Sequence, residues 1–245
     1  MLRRSSPSPH TEPDRKSSMS TPMTRVAILA AMAAFMAIAP ASAEIVITQQ
    51  KALAGNVTPG DAPDFPVTLS RSGAYSLGGN LSVPAGKDGI VIAAPDVTID
   101  LNGFFMIGSG TAEHGITGAE RGATILNGSL VGFGKNGIDG RGPFWIIRAM
   151  RVISTRGFAA VKCAESCHVE GSIVYANEFQ AVDSQAGGGS VIGSVIANNA
   201  GQGVASGSAG IGNNALLLNL SGNRAGNTFA MHPNACRSQT SIGPC

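Results

Sequence analysis

Three apolar columns recur along this chain with one shared spacing. The first is Ile90, Ile116, Ile138, Ala160, Val182 and Val204. The second is Ile99, Ile125, Ile147, Val169 and Val191, and the third is Phe104, Leu130, Val152, Val174, Ile196 and Leu218. In each column the first step is 26 residues and every later step is 22. A file of small residues runs just ahead of the first column: Gly89, Gly115, Gly137, Ala159, Ala181, Gly203 and Ala225. Self-similarity at a period of about 20–50 residues is the signature of a stacked repeat, in which no unit buries its apolar face alone.

Three columns per period predict three short strands per repeat. Their members are apolar and often β-branched, and Asn-Gly, Gly-Ser and Gly-Arg-Gly-Pro clusters between them supply turn chemistry. Leucine-rich repeats share the period but need a Leu/Asn consensus that is absent, and transmembrane barrels need longer alternating segments. A circuit of 22 residues at about 3.3 Å each has a perimeter of at most ~73 Å, and successive circuits stack about 4.8 Å apart. The expected fold is an all-β parallel β-helix of about six rungs, roughly 29 Å tall. Asn177 and Asn199 fall in register at a turn and predict a structural amide ladder.

The N-terminus reads as a targeting segment. Arg25 precedes the apolar run Val26–Ala39, and Ala41-Ser42-Ala43 closes it. The run is shorter than the ~20 residues of a membrane span. Residues 1–43 are therefore expected to be a leader and signal peptide, with Met23 as an alternative start. The protein is then exported, to the periplasm or beyond the cell, with no membrane span after cleavage. The expected layout continues with N-terminal cap strands at 44–86, the β-helix at 87–226 and a C-terminal cap at 227–245. Caps are needed because a bare terminal rung is an open sheet edge. The leader holds five of the 17 Lys and Arg and two of the 15 Asp and Glu, so residues 44–245 carry 12 and 13. A near-neutral chain without a basic stripe excludes nucleic acid as a partner.

The four cysteines, Cys163, Cys167, Cys236 and Cys245, all follow the leader. Four cysteines allow three pairings, and proximity favours Cys163–Cys167 with Cys236–Cys245 in an oxidising compartment. The rival, a metal site from Cys163, Cys167 and His168, lacks a fourth ligand nearby.

The stretch Pro95-Asp96-Val97-Thr98-Ile99-Asp100-Leu101-Asn102-Gly103-Phe104, followed by Asn127-Gly128 and glycine- and asparagine-rich rungs, resembles the bacterial right-handed parallel β-helix repeat proteins of pectin-lyase-like fold. Phe65–Leu81 resembles their lead-in strands. The resemblance covers roughly residues 65–245 and implies a right-handed helix. It also implies a link to polysaccharides, because its members include pectate lyases, polygalacturonases, alginate epimerases and tailspike glycosidases, beside adhesins. The polygalacturonase motifs (Asn-x-Asp, Asp-Asp, Gly-His-Gly, Arg-x-Lys) and the epimerase Asp-Pro-His-Asp are absent, and no cluster of acidic calcium ligands is visible. No cofactor is implied; calcium has no repeated binding motif behind it.

A site on such a fold is assembled across rungs. One position after the first column, Asp139 and Asp183 share a file two rungs apart, about 9.6 Å by strand spacing, near the upper limit for an inverting carboxylate pair. Lys162 and Arg141 are placed beside them. These four are the catalytic candidates, weighed against a reading as solubilising surface charge. Asp100, Arg148 and Glu170 share another file, with Arg148 and Glu170 expected to pair. Phe105, Val131, Ile153 and Tyr175 form an outward apolar stripe, with Tyr175 and Phe105 as sugar-binding candidates and residues 44–80 as its expected cover. His114 and His232 show no partner. The expected function is an exported envelope protein that binds or modifies polysaccharide; the alternative is a non-enzymatic structural or surface-interaction module.

Overall fold

The computed structural model describes residues 44–184, 188–237 and the strand Ile242–Pro244. Residues 1–43, expected to be a leader, and Cys245, with its expected pairing to Cys236, lie outside the described residues. What is described is a parallel β-helix with three faces and about eight coils, nearly free of α-helix. On the first face Val67–Leu69, Ile90–Ile92, Ile116–Gly118, Ile138–Gly140, Ala159–Cys163 and Gln180–Ser184 stack in parallel, followed by the first halves of Val204–Gly212 and Arg224–Ala230. The second face starts at Ile45–Ile47 and Gly73–Leu77, and the third at Leu81–Val83 and Phe105–Gly108. The last coil is closed on its third face by Ile242–Pro244, antiparallel to Ala235–Arg237.

The second column stands as the spacing predicts, with Ile99, Ile125, Ile147, Val169 and Val191 in direct register. All are essentially fully buried. The other two columns depart from the predicted list. In the first, Ile138 pairs with Val161 and not with Ala160. The turn before this strand is one residue longer, and the larger β-branched side chain takes the column position. In the third, Met106 and Leu216 replace Phe104 and Leu218. Phe104 is held on a tight turn, its N–H donating to the Leu101 carbonyl at 2.8 Å, and Leu218 adopts a positive φ of 55° at a corner. Both errors are shifts of two residues, and residues two apart in a strand share a face.

The rung count is higher than the six expected because Val67–Leu69, Gly73–Leu77 and Leu81–Val83 pair in register with the repeat strands. Part of the segment 44–86 is thus itself coil. The capping element is the short helix Gln49–Ala54, N-capped by Thr48, whose hydroxyl accepts from the Lys51 N–H.

Two ladders of buried polar side chains run up the corners. Asn177, Asn199 and Asn219 donate side chain to side chain along one corner at 2.8 Å per step, and each also reaches a carbonyl: Val152, Val174 and Ile196. Ser172, Ser194, Asn214 and Asn234 form the second. Each replaces backbone bonds that the corners cannot make, as buried polar groups require.

Cys163 and Cys167 form a disulfide with Cα atoms 5.8 Å apart, and no described cysteine is free. Among the described residues no group of three or more His, Cys, Asp or Glu could hold a metal ion, and no helix is long and apolar enough to cross a membrane.

Candidate functional site

The outward row of the first face carries the charged residues singled out by the repeat. Thr117, Asp139, Lys162, Asp183 and Ala205 stand in direct register on five successive coils. Asp139 and Asp183 are two coils apart as expected. Lys162 is not beside them but between them, because the same one-residue shift that puts Val161 in the core moves Lys162 into this row.

This outer surface is closed. Thr117, Asp139 and Asp183 are 3%, 7% and 5% exposed although they point away from the core. Asp139 is surrounded by partners: Lys162 Nζ at 3.9 Å, Arg141 Nε at 3.6 Å, the Asn136 amide donating at 3.3 Å and the Thr117 hydroxyl at 3.5 Å. A carboxylate taken from water needs such compensation. Lys162 and Arg141 remain partly open to solvent and cover the row. The two carboxylates of the pair suggested by the spacing are thus buried, with Lys162 standing on the coil between them.

His114 joins this group. Its ring Nδ1 accepts from the Asn136 backbone N–H at 3.3 Å, and the His114 backbone N–H donates to the Asp88 carboxylate at 2.9 Å. Burial holds the imidazole below its ordinary pKa, while the nearby Asp139 and Asp88 charges oppose that shift; Lys135 adds to it and Glu113 opposes it. Lys135 and Glu113 form their own pair at 2.8 Å, which lowers the Glu113 carboxyl. The unfolded chain therefore binds more protons at His114 than the native one does. Stability from this residue is complete above the unfolded pKa of about 6.5 and is lost as pH falls through it, by at most about 1.4 kcal/mol per pH unit. Urea unfolding at about pH 7.5 and about pH 5 is expected to show that loss, and His114→Gln is expected to flatten it. Glu113 acts in a lower window, near and below its ordinary value, and does not obscure the comparison. A variant with the wild-type slope would remove His114 from the network.

The reading of His114 as partnerless is thus corrected. Asp88, His114, Asn136, Phe158, Gln180 and Gln202 are themselves spaced 26 and then 22 residues apart. That column, one position ahead of the small-residue file, is the signal that would have found it.

Tyr175 and Phe105 are not brought together. Phe105 pairs with Ser129, whereas Tyr175 shares a row with Ile107, Val131 and Ile153. The two lie three coils apart, about 14 Å, and both are exposed. The segment 44–80 does not cover this stripe; its strands belong to the first and second faces. Arg148 and Glu170 are opposite one another, but Glu170 lies 3.7 Å from His168 Nε2, and no pair within 4.0 Å joins it to Arg148 among the described residues.

A shallow cleft of about 410 Å³ opens at the corner between the third and first faces, lined by Phe158, Glu178, Phe179, Gln180, Ala200, Gly201, Gln202 and Ser221. A second, of about 390 Å³, lies at the corner between the second and third faces beside Arg151 and Ile173. No protein-family model, curated protein or solved structure matches this chain.

Proposed function

We propose that the chain is an exported protein that binds polysaccharide at the cell envelope, with the first face as its contact surface. The observation behind this reading is the row of Asp139, Lys162 and Asp183, which sets carboxylate, ammonium and carboxylate on successive coils. Asp139 and Asp183 are buried, so what this part of the face presents to solvent is its cations, Lys162 in the row and Arg141 beside it. A polymer carrying oxygen acceptors is the ligand that these donors suit, with Lys162 and Arg141 within its reach. The repeat's resemblance to polysaccharide-active β-helices and the leader point the same way.

Binding is better supported than modification. Acid–base chemistry needs a carboxyl free to exchange a proton with substrate, and Asp139 is engaged by four partners. That engagement also favours a second reading, a structural module whose charge row only braces adjoining coils.

Affinity electrophoresis of residues 44–245 through gels cast with neutral and uronate polysaccharides separates the two. Retention on at least one polymer is expected, weakened about tenfold by Lys162→Gln, the equivalent of one charge-assisted hydrogen bond. No retention on any polymer would overturn the binding reading and leave the structural one. New reducing ends or ultraviolet-absorbing unsaturated product would move the assignment to catalysis.

A further inference from the structure

We infer that the corner cleft is a stacking site for a neutral pyranose ring. The inference rests on the polysaccharide reading above and deepens it, because it assigns the sugar class and a second set of residues. Four observations carry it.

First, the cleft has an apolar wall in the middle of a polar corner. Phe158 and Phe179 are 52% and 49% exposed on consecutive coils. Neither contributes to the core, so their exposure costs apolar surface in water without any return in packing. Second, the floor of the cleft beside Phe179 is bare backbone at Gly201, where the coils approach too closely for a side chain. Gly201 lies one coil further on, its N–H donating to the Phe179 carbonyl at 3.0 Å. A Cβ at Gly201 would come within 2.5 Å of the Phe179 carbonyl carbon and the Gln180 nitrogen. Third, the rim holds an unused acceptor. Gln180 Oε1 is buried and receives no hydrogen bond among the described residues, although it belongs to a residue lining the cleft. A buried polar atom left unbonded is costly and calls for a donor. Fourth, the rim has no uncompensated charge. Its only ionisable member, Glu178, is paired with Arg156 at 3.1 Å.

The ligand implied has one flat apolar side for the phenyl rings and hydroxyl donors around its edge for Gln180, Gln202 and Ser221. A pyranose has both. A uronate would bring a carboxylate to a rim that has no cation among its lining residues. The cleft volume lies within the range of small-ligand sites, about 300–1,000 Å³.

The test uses residues 44–245 in affinity gels cast with hydroxyethylcellulose, xyloglucan or galactomannan, beside polygalacturonate and alginate. Retention on at least one neutral polymer is expected, and Phe158→Ala and Phe179→Ala are each expected to weaken it about tenfold. Phe179→Trp is expected to preserve or strengthen it, which guards against simple misfolding of the alanine variants. Gln180→Ala is expected to weaken retention while leaving the thermal midpoint unchanged or higher, since it removes an unbonded acceptor; a purely structural glutamine would behave in the opposite way. Retention confined to uronates, or neutral-polymer retention indifferent to Phe158, Phe179 and Gln180, would overturn the cleft and leave polysaccharide binding standing. Absence of retention on every polymer would overturn both.

Discussion

Replacing Asn199 by leucine is expected to destabilise the fold by about 3–6 kcal/mol, because each buried group left without a partner costs about 1–3 kcal/mol. Asn199 is fully buried. Its oxygen accepts from the Asn177 N–H at 3.1 Å and from the Asn177 side-chain amide at 2.8 Å. Its own amide donates to the Val174 carbonyl at 3.2 Å and to the Asn219 oxygen at 2.8 Å. Leucine satisfies none of these and is bulkier at its branch point. Asn177 N–H and the Val174 carbonyl would lose the partners that the corner offers, and the ladder would be cut in its middle. Ser221→Ala, which removes one bond at 3.2 Å from an exposed turn, is the reference and is expected to change stability by less than about 0.5 kcal/mol. Urea titration of residues 44–245 compares them directly. A leucine variant within about 1 kcal/mol of wild type would mean the amides decorate the corner without holding it.

The same ladder shows what the sequence makes legible and what it conceals. Asn177 and Asn199 were identifiable because they keep the 22-residue period, and the second apolar column was identifiable for the same reason. A period locates residues on a coil but does not resolve shifts within it. Phe104 and Met106 have the same strand parity, so alternation alone cannot choose between them. Ala160 and Val161 differ in parity, yet both are fully buried, because the first face is closed on its outer side as well. Hydrophobicity therefore gave no warning of the extra residue in that turn. That residue decides the charge row, since it inserts Lys162 between Asp139 and Asp183. The column Asp88, His114, Asn136, Gln180 and Gln202 was hidden by its mixture of residue types, which share no hydropathy although they share a place on the coil; Phe158 keeps the spacing, but the extra residue in that turn gives its place to Ala159, which pairs with Gln180.

Gly115→Val is the substitution expected to do most damage, at about 4 kcal/mol or more, with the variant recovered mainly as insoluble protein. Gly115 has no positive φ, so its constraint is space and not backbone conformation. A Cβ there would lie 2.5 Å from the Gly137 carbonyl oxygen, 3.1 Å from the Phe133 ring and 3.4 Å from Leu130. The first contact is with backbone. The Gly137 oxygen accepts from the Ile116 N–H at 2.9 Å, and the Gly115 N–H donates to the Asn136 carbonyl at 3.1 Å. The oxygen cannot retreat without lengthening the bonds that join the two coils. Gly89 and Gly203 meet the next coil's carbonyl at the same 2.5 Å, which explains why small residues line up along this corner. Because Gly115 sits between His114 and the strand bearing Thr117, opening the coils here would also pull Thr117 from Asp139. Gly79→Ala is the counterpart: nothing lies within 4 Å of a Cβ at Gly79 and its φ is unstrained, so a change below about 1 kcal/mol is expected. Equal urea midpoints for the Gly115 and Gly79 variants would show that the corner can widen freely, and the coil-to-coil register that assembles the charge row would lose its physical basis.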